Sequence, residues 1–205
     1  MDMTTRSCRE FMEILASGEP TPGGGGAAAL VGAAGVALGQ MVTNLTIGRK
    51  KYAEVEEEMR SVREKLDALR LELLDLVEAD ECAFAPLAAA YAIPKEQADR
   101  AQILERATLE ACKPPIAMME TLAQALELVS VLAEKGSRMA LSDAGCAAAL
   151  CRGAMESASL NVYINTKSLL DREEAERLNE KANRLLETYC PLADGIFQAV
   201  RKSFG

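Results

Sequence analysis

Hydrophobic positions from Val55 to Leu87 recur in alternating steps of four and three: Val55, Met59, Val62, Leu66, Leu69, Leu73, Leu76, then Ala83 and Leu87. The other positions are mostly polar. That pattern predicts a long helix with one apolar face. Asp80 stands in the stripe where a leucine belongs. A carboxylate there is carried toward the core, and burial favours its neutral form unless a partner stabilises the anion. Two roles are open to it: a buried tie to a neighbouring helix end or an arginine, or a functional group with a perturbed pKa.

The pattern on either side is also helical. Ser7 and Glu10 have capping-box spacing ahead of Phe11, Ile14 and Leu15, which predicts a short helix ending near Gly18. A Pro20 to Gly26 loop opens onto Ala27–Ile47, a run without a charge. Its length admits a membrane span, and Gly35 and Gly39 form a GxxxG pair. Its Ala and Gly content, with Gln40, Thr43 and Asn44, favours a central helix of a soluble bundle instead. No other stretch has the character of a span. Ala28, Gly32, Gly35 and Gly39 share a face that lets another helix or a flat ligand approach closely.

Pro86 is expected to kink the long helix and Ile93-Pro94 to end it. A helix is predicted over 95–113, broken at Pro114-Pro115 and resumed over 116–135. Ser142-Asp143 is read as the cap of a second Ala-rich helix over 144–170. An amphipathic helix interrupted by Pro191 follows from Asp171. Alternating strand patterns are absent. The expectation is all-α: one domain over 1–205, a bundle of about eight helices with two long Ala/Gly-rich central helices.

Composition narrows the function. The net charge of −8 shows no basic face for nucleic acid. The six cysteines lie singly, with no C-x-x-C pair, which suggests reduced thiols in a cytoplasmic protein and no zinc site. No secretory leader is read at the N-terminus. The chain has no histidine, so proton transfer falls to Asp, Glu, Lys, Tyr or Cys.

Two further features could carry chemistry. Gly23, Gly24, Gly25 and Gly26 expose backbone N–H groups at a helix start, which suits an anion or a polar heterocycle. A flexible hinge is the alternative. Neither a Walker nor a Rossmann fingerprint is present. Asn161 and Asn165 sit one turn apart on an apolar helix and could line a ligand cavity. Gln40 and Asn44 repeat the spacing and are read as interhelical hydrogen-bonding groups. Arg49, Lys50 and Lys51 are read as a solvated turn able to meet carboxylates of an acidic ligand, and Cys82 as packing.

Four motifs, in order along nearly the whole chain, resemble the cyclodeaminase/cyclohydrolase family of tetrahydrofolate metabolism. They are Pro22-Gly23-Gly24-Gly25-Gly26-Ala27-Ala28 with Gly48-Arg49-Lys50-Lys51-Tyr52 downstream, Asp80-Glu81-Cys82-Ala83-Phe84, Ser142-Asp143, and Asn161-Val162-Tyr163-Ile164-Asn165. Gly26 and Thr166 depart from the usual Ser and Leu. The resemblance implies an all-helical fold that forms a homodimer or higher oligomer, with a folate near the glycine loop. It implies Asp80 as the catalytic residue. Substrate contacts are expected from Gly23 to Gly26, Lys51, Ser142, Asp143, Asn161 and Asn165. A stand-alone cyclodeaminase domain that takes a tetrahydrofolate derivative as substrate is expected, without cofactor, metal, membrane or nucleic acid. Formiminotetrahydrofolate cyclodeaminase is the first expectation and methenyltetrahydrofolate cyclohydrolase the alternative. A non-catalytic helical binding module is the remote one.

Overall fold

The computed structural model describes residues 3–205. Its six α-helices are α1 (Cys8–Leu15), α2 (Gly24–Thr46), α3 (Glu56–Tyr91), α4 (Arg100–Lys135), α5 (Leu141–Thr166) and α6 (Arg172–Lys202), joined by short 3-10 turns. No strand occurs among the described residues. One apolar cluster draws on all six helices. α2 lies between α3 and α5; α4 packs on α3 and α5, and α6 closes against α4 and α5.

α1 carries the expected capping box. Ser7 Oγ accepts the Glu10 N–H, and Glu10 accepts the Ser7 N–H in return. α3 buries Met59, Val62, Leu66, Leu69 and Leu73, as the stripe requires. Beyond Leu73 the buried position is Val77, not Leu76. A strict seven-residue repeat drifts around a straight helix of 3.6 residues per turn, so the inward face moves by one residue. Pro86 lies within continuous helix.

Six α-helices rather than about eight follow from two corrections. Pro114-Pro115 does not break α4, and Pro191 does not interrupt α6. A helix-interior proline costs about 3 kcal/mol. Around the pair, however, Cys112, Pro114, Pro115, Ile116, Met118 and Met119 are all buried, and this packing outweighs the local cost. α4 is therefore also a second helix long and apolar enough to span a membrane. In both α2 and α4 more than half of the apolar window is buried inside the bundle.

Ser142 and Asp143 are not the cap of α5. The helix starts at Leu141 with Ala140 as its N-cap, and neither side chain closes it. The small-residue face of α2 is covered by this chain's own helices. A Cβ on Gly35 would stand 2.8 Å from Cys151 Sγ and 3.2 Å from the Ala147 carbonyl oxygen of α5. Only a bare backbone permits that approach. Gln40 is the interhelical group expected: Nε2 donates to Asp67 at 3.0 Å, and Arg70 Nε donates to Oε1 at 3.1 Å. Asn44 and Cys82 are exposed, the latter against the expectation of packing.

Candidate active site

The site forms where the start of α2 meets the middle of α3 and the end of α5. Gly23, the N-cap of α2, has no side chain to close the helix. Asp80 arrives from α3 and takes that place: the Gly26 N–H donates to its carboxylate. The approach is close, since a Cβ on Gly25 would stand 2.4 Å from both carboxylate oxygens. The first of the two readings of Asp80, a tie to a helix end, matches this geometry. Asp80 also lines a cavity of about 200 Å³ with Gly23, Gly24, Gly25, Phe84, Asn161 and Asn165.

Burial pushes the Asp80 carboxyl up from 3.8 to about 6; the Gly26 N–H, which favours the anion, offsets this only in part. The start of a helix normally favours a negative charge. Here desolvation outweighs it, and no arginine or lysine lines the cavity to reverse the balance.

The two asparagines are fixed in the same sense. Asn161 Nδ2 donates to the Ser157 carbonyl at 2.9 Å, and Asn165 Nδ2 donates to the Ala111 carbonyl of α4 at 2.9 Å. A carbonyl only accepts, so each amide must turn its nitrogen there and keep Oδ1 for another partner. The cavity is thus lined by two amides, each with Oδ1 and a second N–H to offer, and by a carboxyl with a raised pKa. It borders a groove of about 470 Å³ between α2 and α5, with which it shares Gly24, Asn161 and Ile164 and which Ala27, Val31 and Leu160 also line. A polar pocket joined to an apolar trough suits a ligand with a hydrogen-bonding head and a longer body.

A separate cavity of about 450 Å³ lies between α4 and α6. Its cations Lys113, Arg177 and Lys181 are each held by a glutamate, Glu110, Glu174 and Glu120 respectively. It therefore has little charge to offer an anion.

Lys51, Ser142 and Asp143 do not join Asp80 within one chain. α2 and α5 run antiparallel, so Gly24 faces Asn161 while the far end of α2 meets the start of α5, where Ser137 donates to Thr46. Along 23 residues the two ends are roughly 34 Å apart. Phe84, part of the Asp80 motif but given no role there, also lines the cavity one turn after Asp80; the Ala111 carbonyl carries no sequence signal.

The formiminotransferase-cyclodeaminase family model matches residues 7–184. The chain belongs to that family. It is 42% identical over 195 residues to the methenyltetrahydrofolate cyclohydrolase of Methylorubrum extorquens, covering 93% of this chain and 94% of that one. It is 32% identical over 200 residues to the formimidoyltransferase-cyclodeaminase of Mus musculus, of which it spans 37%. The solved formiminotetrahydrofolate cyclodeaminase of Thermotoga maritima superposes with a TM-score of 0.83 at 32% identity, covering 97% of this chain and 96% of that one. Membership accounts for the all-helical architecture. It also means that relatives of this fold are named for two reactions.

Proposed function

We propose that the protein is a cytoplasmic folate one-carbon enzyme acting at the carbon that bridges N5 and N10 of tetrahydrofolate, with Asp80 as its proton-transfer group. The observation that carries this reading is the desolvated Asp80 carboxyl at the start of α2, in a cavity it lines with the amides of Asn161 and Asn165. Relatives named for chemistry at that carbon support it.

Two reactions share this centre. The first, the cyclohydrolase, is supported by the 42% identical relative of matching length. In that direction Asp80 takes a proton from water as the oxygen bonds to the methenyl carbon. The carbon–N5 bond then breaks, Asp80 returns its proton to N5, and the hydroxyl loses its proton to leave 10-formyltetrahydrofolate. One proton is released overall. The second reading, the cyclodeaminase, is supported by the Thermotoga maritima structure. There N10 attacks the formimino carbon of 5-formiminotetrahydrofolate, the N10 proton passes to the formimino nitrogen, and protonated Asp80 hands that nitrogen a second proton as it departs. Ammonia leaves and 5,10-methenyltetrahydrofolate forms. The carboxylate that remains stabilises the resulting cation.

Neither route as written uses a metal, so activity is expected to persist in EDTA; loss restored by a divalent ion would overturn that part. The deciding experiment follows methenyltetrahydrofolate absorbance, as loss in water and as formation from 5-formiminotetrahydrofolate. Turnover in neither direction would defeat the proposal.

We further propose a homodimer. The outward stripe of α2, with Val31, Ala34, Met41 and Leu45, and its α5 neighbours Leu160 and Ile164 form an uncharged face. Leu160 and Ile164 are 67% and 61% exposed, unusual for large aliphatic side chains. Two copies joined across this face by a two-fold axis, with their α2 helices antiparallel, enclose the apolar trough between them and set the Lys51, Ser142 and Asp143 end of one beside the Asp80 end of the other. Light scattering should give twice 22.0 kDa, and Ala34→Glu should give monomers without activity. A wild-type monomer with full activity would overturn this.

A further inference from the structure

Asn165 makes a choice that its neighbour Asn161 does not. Asn161 returns its amide N–H to the carbonyl four residues back in its own helix. Asn165 reaches across to α4 and donates to the Ala111 carbonyl. In an unbroken helix that carbonyl would accept the N–H of residue 115. Residue 115 is Pro115, which has no N–H. Pro114 likewise leaves the Glu110 carbonyl without its helical donor, but the Glu110 and Lys113 side chains on that turn border the α4–α6 cavity, away from Asp80. Pro86 and Pro191 leave the Cys82 and Glu187 carbonyls in the same state. Of these four carbonyls only that of Ala111 belongs to a residue lining the Asp80 cavity.

Ala111, Pro114 and Pro115 are buried, so water is a poor substitute for the missing donor. A side-chain amide held against a buried carbonyl has its orientation decided, because the reversed amide would set oxygen against oxygen. No donor among the described residues bonds Asn165 Oδ1, which stays available at the cavity wall.

We propose that Pro115 is a positioning residue for the site: by leaving the Ala111 carbonyl without its helical donor it captures the Asn165 amide and fixes Asn165 Oδ1 as the acceptor for an N–H on the reduced pterin of the folate. This role rests on the folate reading above. Pro115 touches no substrate and acts only through Asn165. An alanine at 115 returns the N–H to α4, pairs the Ala111 carbonyl inside the helix and releases the Asn165 amide to turn either way.

The test is a double-mutant cycle on the full chain with Pro115→Ala, Asn165→Ala and the double variant, and Pro114→Ala as control. Losing one neutral hydrogen bond to the ligand should raise KM roughly tenfold in Pro115→Ala with kcat little changed, because the contact is equal in ground and transition states. The Tm should hold or rise, since a helix-interior proline has been removed. Asn165→Ala should raise KM by a similar factor, the double variant no further, and Pro114→Ala should leave KM unchanged. The Tm values form a second cycle. Asn165→Ala should lower Tm by about 2–4 °C in the wild-type background, where it orphans the Ala111 carbonyl, and have little effect beside Ala at position 115. An unchanged KM in Pro115→Ala, or Tm effects that simply add, would overturn the proposal. A wild type that turns over neither folate defeats the proposed function instead, and the Tm cycle then decides the positioning alone.

Discussion

The two ends of α2 differ in composition, Gly and Ala at the start and larger, partly polar residues at the close, and are finished in opposite ways. At the C-terminal end the groups that meet it are paired. Thr46 Oγ1 donates to the Val42 carbonyl at 2.7 Å and accepts the Ser137 N–H at 2.8 Å. The Tyr52 hydroxyl accepts the Arg138 N–H at 2.9 Å, and Ile47 closes the last turn onto Thr43. At the N-terminal end the cap residue is a glycine without a side chain, the cap arrives from α3 as a carboxylate, and two amides leave acceptors unspent. A satisfied helix end is a joint. An end closed by a desolvated acid with room in front of it is a place where a ligand completes the hydrogen bonding.

The strongest way to break this contrast is at Asp80. Asp80→Asn keeps the shape and removes proton transfer, so kcat should fall by ~10²–10⁴. The Tm should not fall, because a desolvated carboxyl has become a neutral amide. Asp80→Leu should be equally inactive. If instead both variants melt early and stay fully active while folded, the start of α2 is another joint and Asp80 only its fastening.

Gly25→Ala attacks the same end from the helix side. A methyl group 2.4 Å from the Asp80 oxygens forces the carboxylate out of its place. The crowding should destabilise the protein by ~1–3 kcal/mol and lower kcat along with it. Normal kcat per folded molecule in Gly25→Ala would show that the Asp80 position does not govern the reaction.

The pH dependence sharpens the contrast without altering a backbone atom. Folding raises the Asp80 pKa from 3.8 to about 6, so the folded protein binds this proton more tightly. The associated stabilisation is fully present below about pH 4 and is lost as pH rises through 6. It amounts to ~2–3 kcal/mol, and comparing wild type with Asp80→Asn should isolate it as a difference in Tm against pH. For the hydrolytic direction kcat/KM should drop below about pH 6, as the base is protonated. A flat profile from pH 5 to 7 would remove Asp80 from that role.

The closed end predicts the reverse pattern. Thr46→Ala leaves the buried Ser137 N–H without an acceptor and should cost ~1–3 kcal/mol in stability. Its kcat and KM should match wild type once corrected for folded fraction. A selective loss of kcat there would mean that the two ends are coupled through α2.

What was legible in the sequence follows the same division. Period and punctuation placed α1, α2, α3 and the amphipathic α6, the last without its continuity through Pro191, because burying an apolar stripe depends on spacing alone. Asp80 was visible as a charge out of place in its stripe, and the Asn161/Asn165 pair as amides on an apolar helix. The inside of α4 was not visible. Proline argues for a break by local rules, and the burial that overrides it belongs to the tertiary structure. The Ala111 carbonyl was invisible for the same reason: backbone groups freed by a proline carry no side-chain signal. The register of the α3 stripe slipped at Val77 because spacing reports a period without its slow drift. Lys51, Ser142 and Asp143 were grouped with Asp80 by resemblance, and one chain holds them roughly 34 Å away along α2.

The smallest expected effect settles what that separation means. Lys51 is an exposed cation beside the Tyr52 ring, 5.5 Å from its centroid, on the turn after the closed end. In a lone chain it is too far from Asp80 to touch a substrate there, and Lys51→Ala should leave both kinetic constants alone. In a two-fold dimer it stands over the partner's cavity and can meet the carboxylate tail of the folate. An exposed ion pair is worth ~0.2–1 kcal/mol, so KM should rise by at most about fivefold. kcat should not change, because the tail is held equally before and during the reaction. High salt should shrink the effect, since a contact of this kind is screened. A salt-sensitive rise in KM therefore places the closed end of one α2 beside the open end of another. An unchanged KM at low ionic strength, in a protein shown to be dimeric, would mean that the two ends never meet and that the folate tail is held elsewhere.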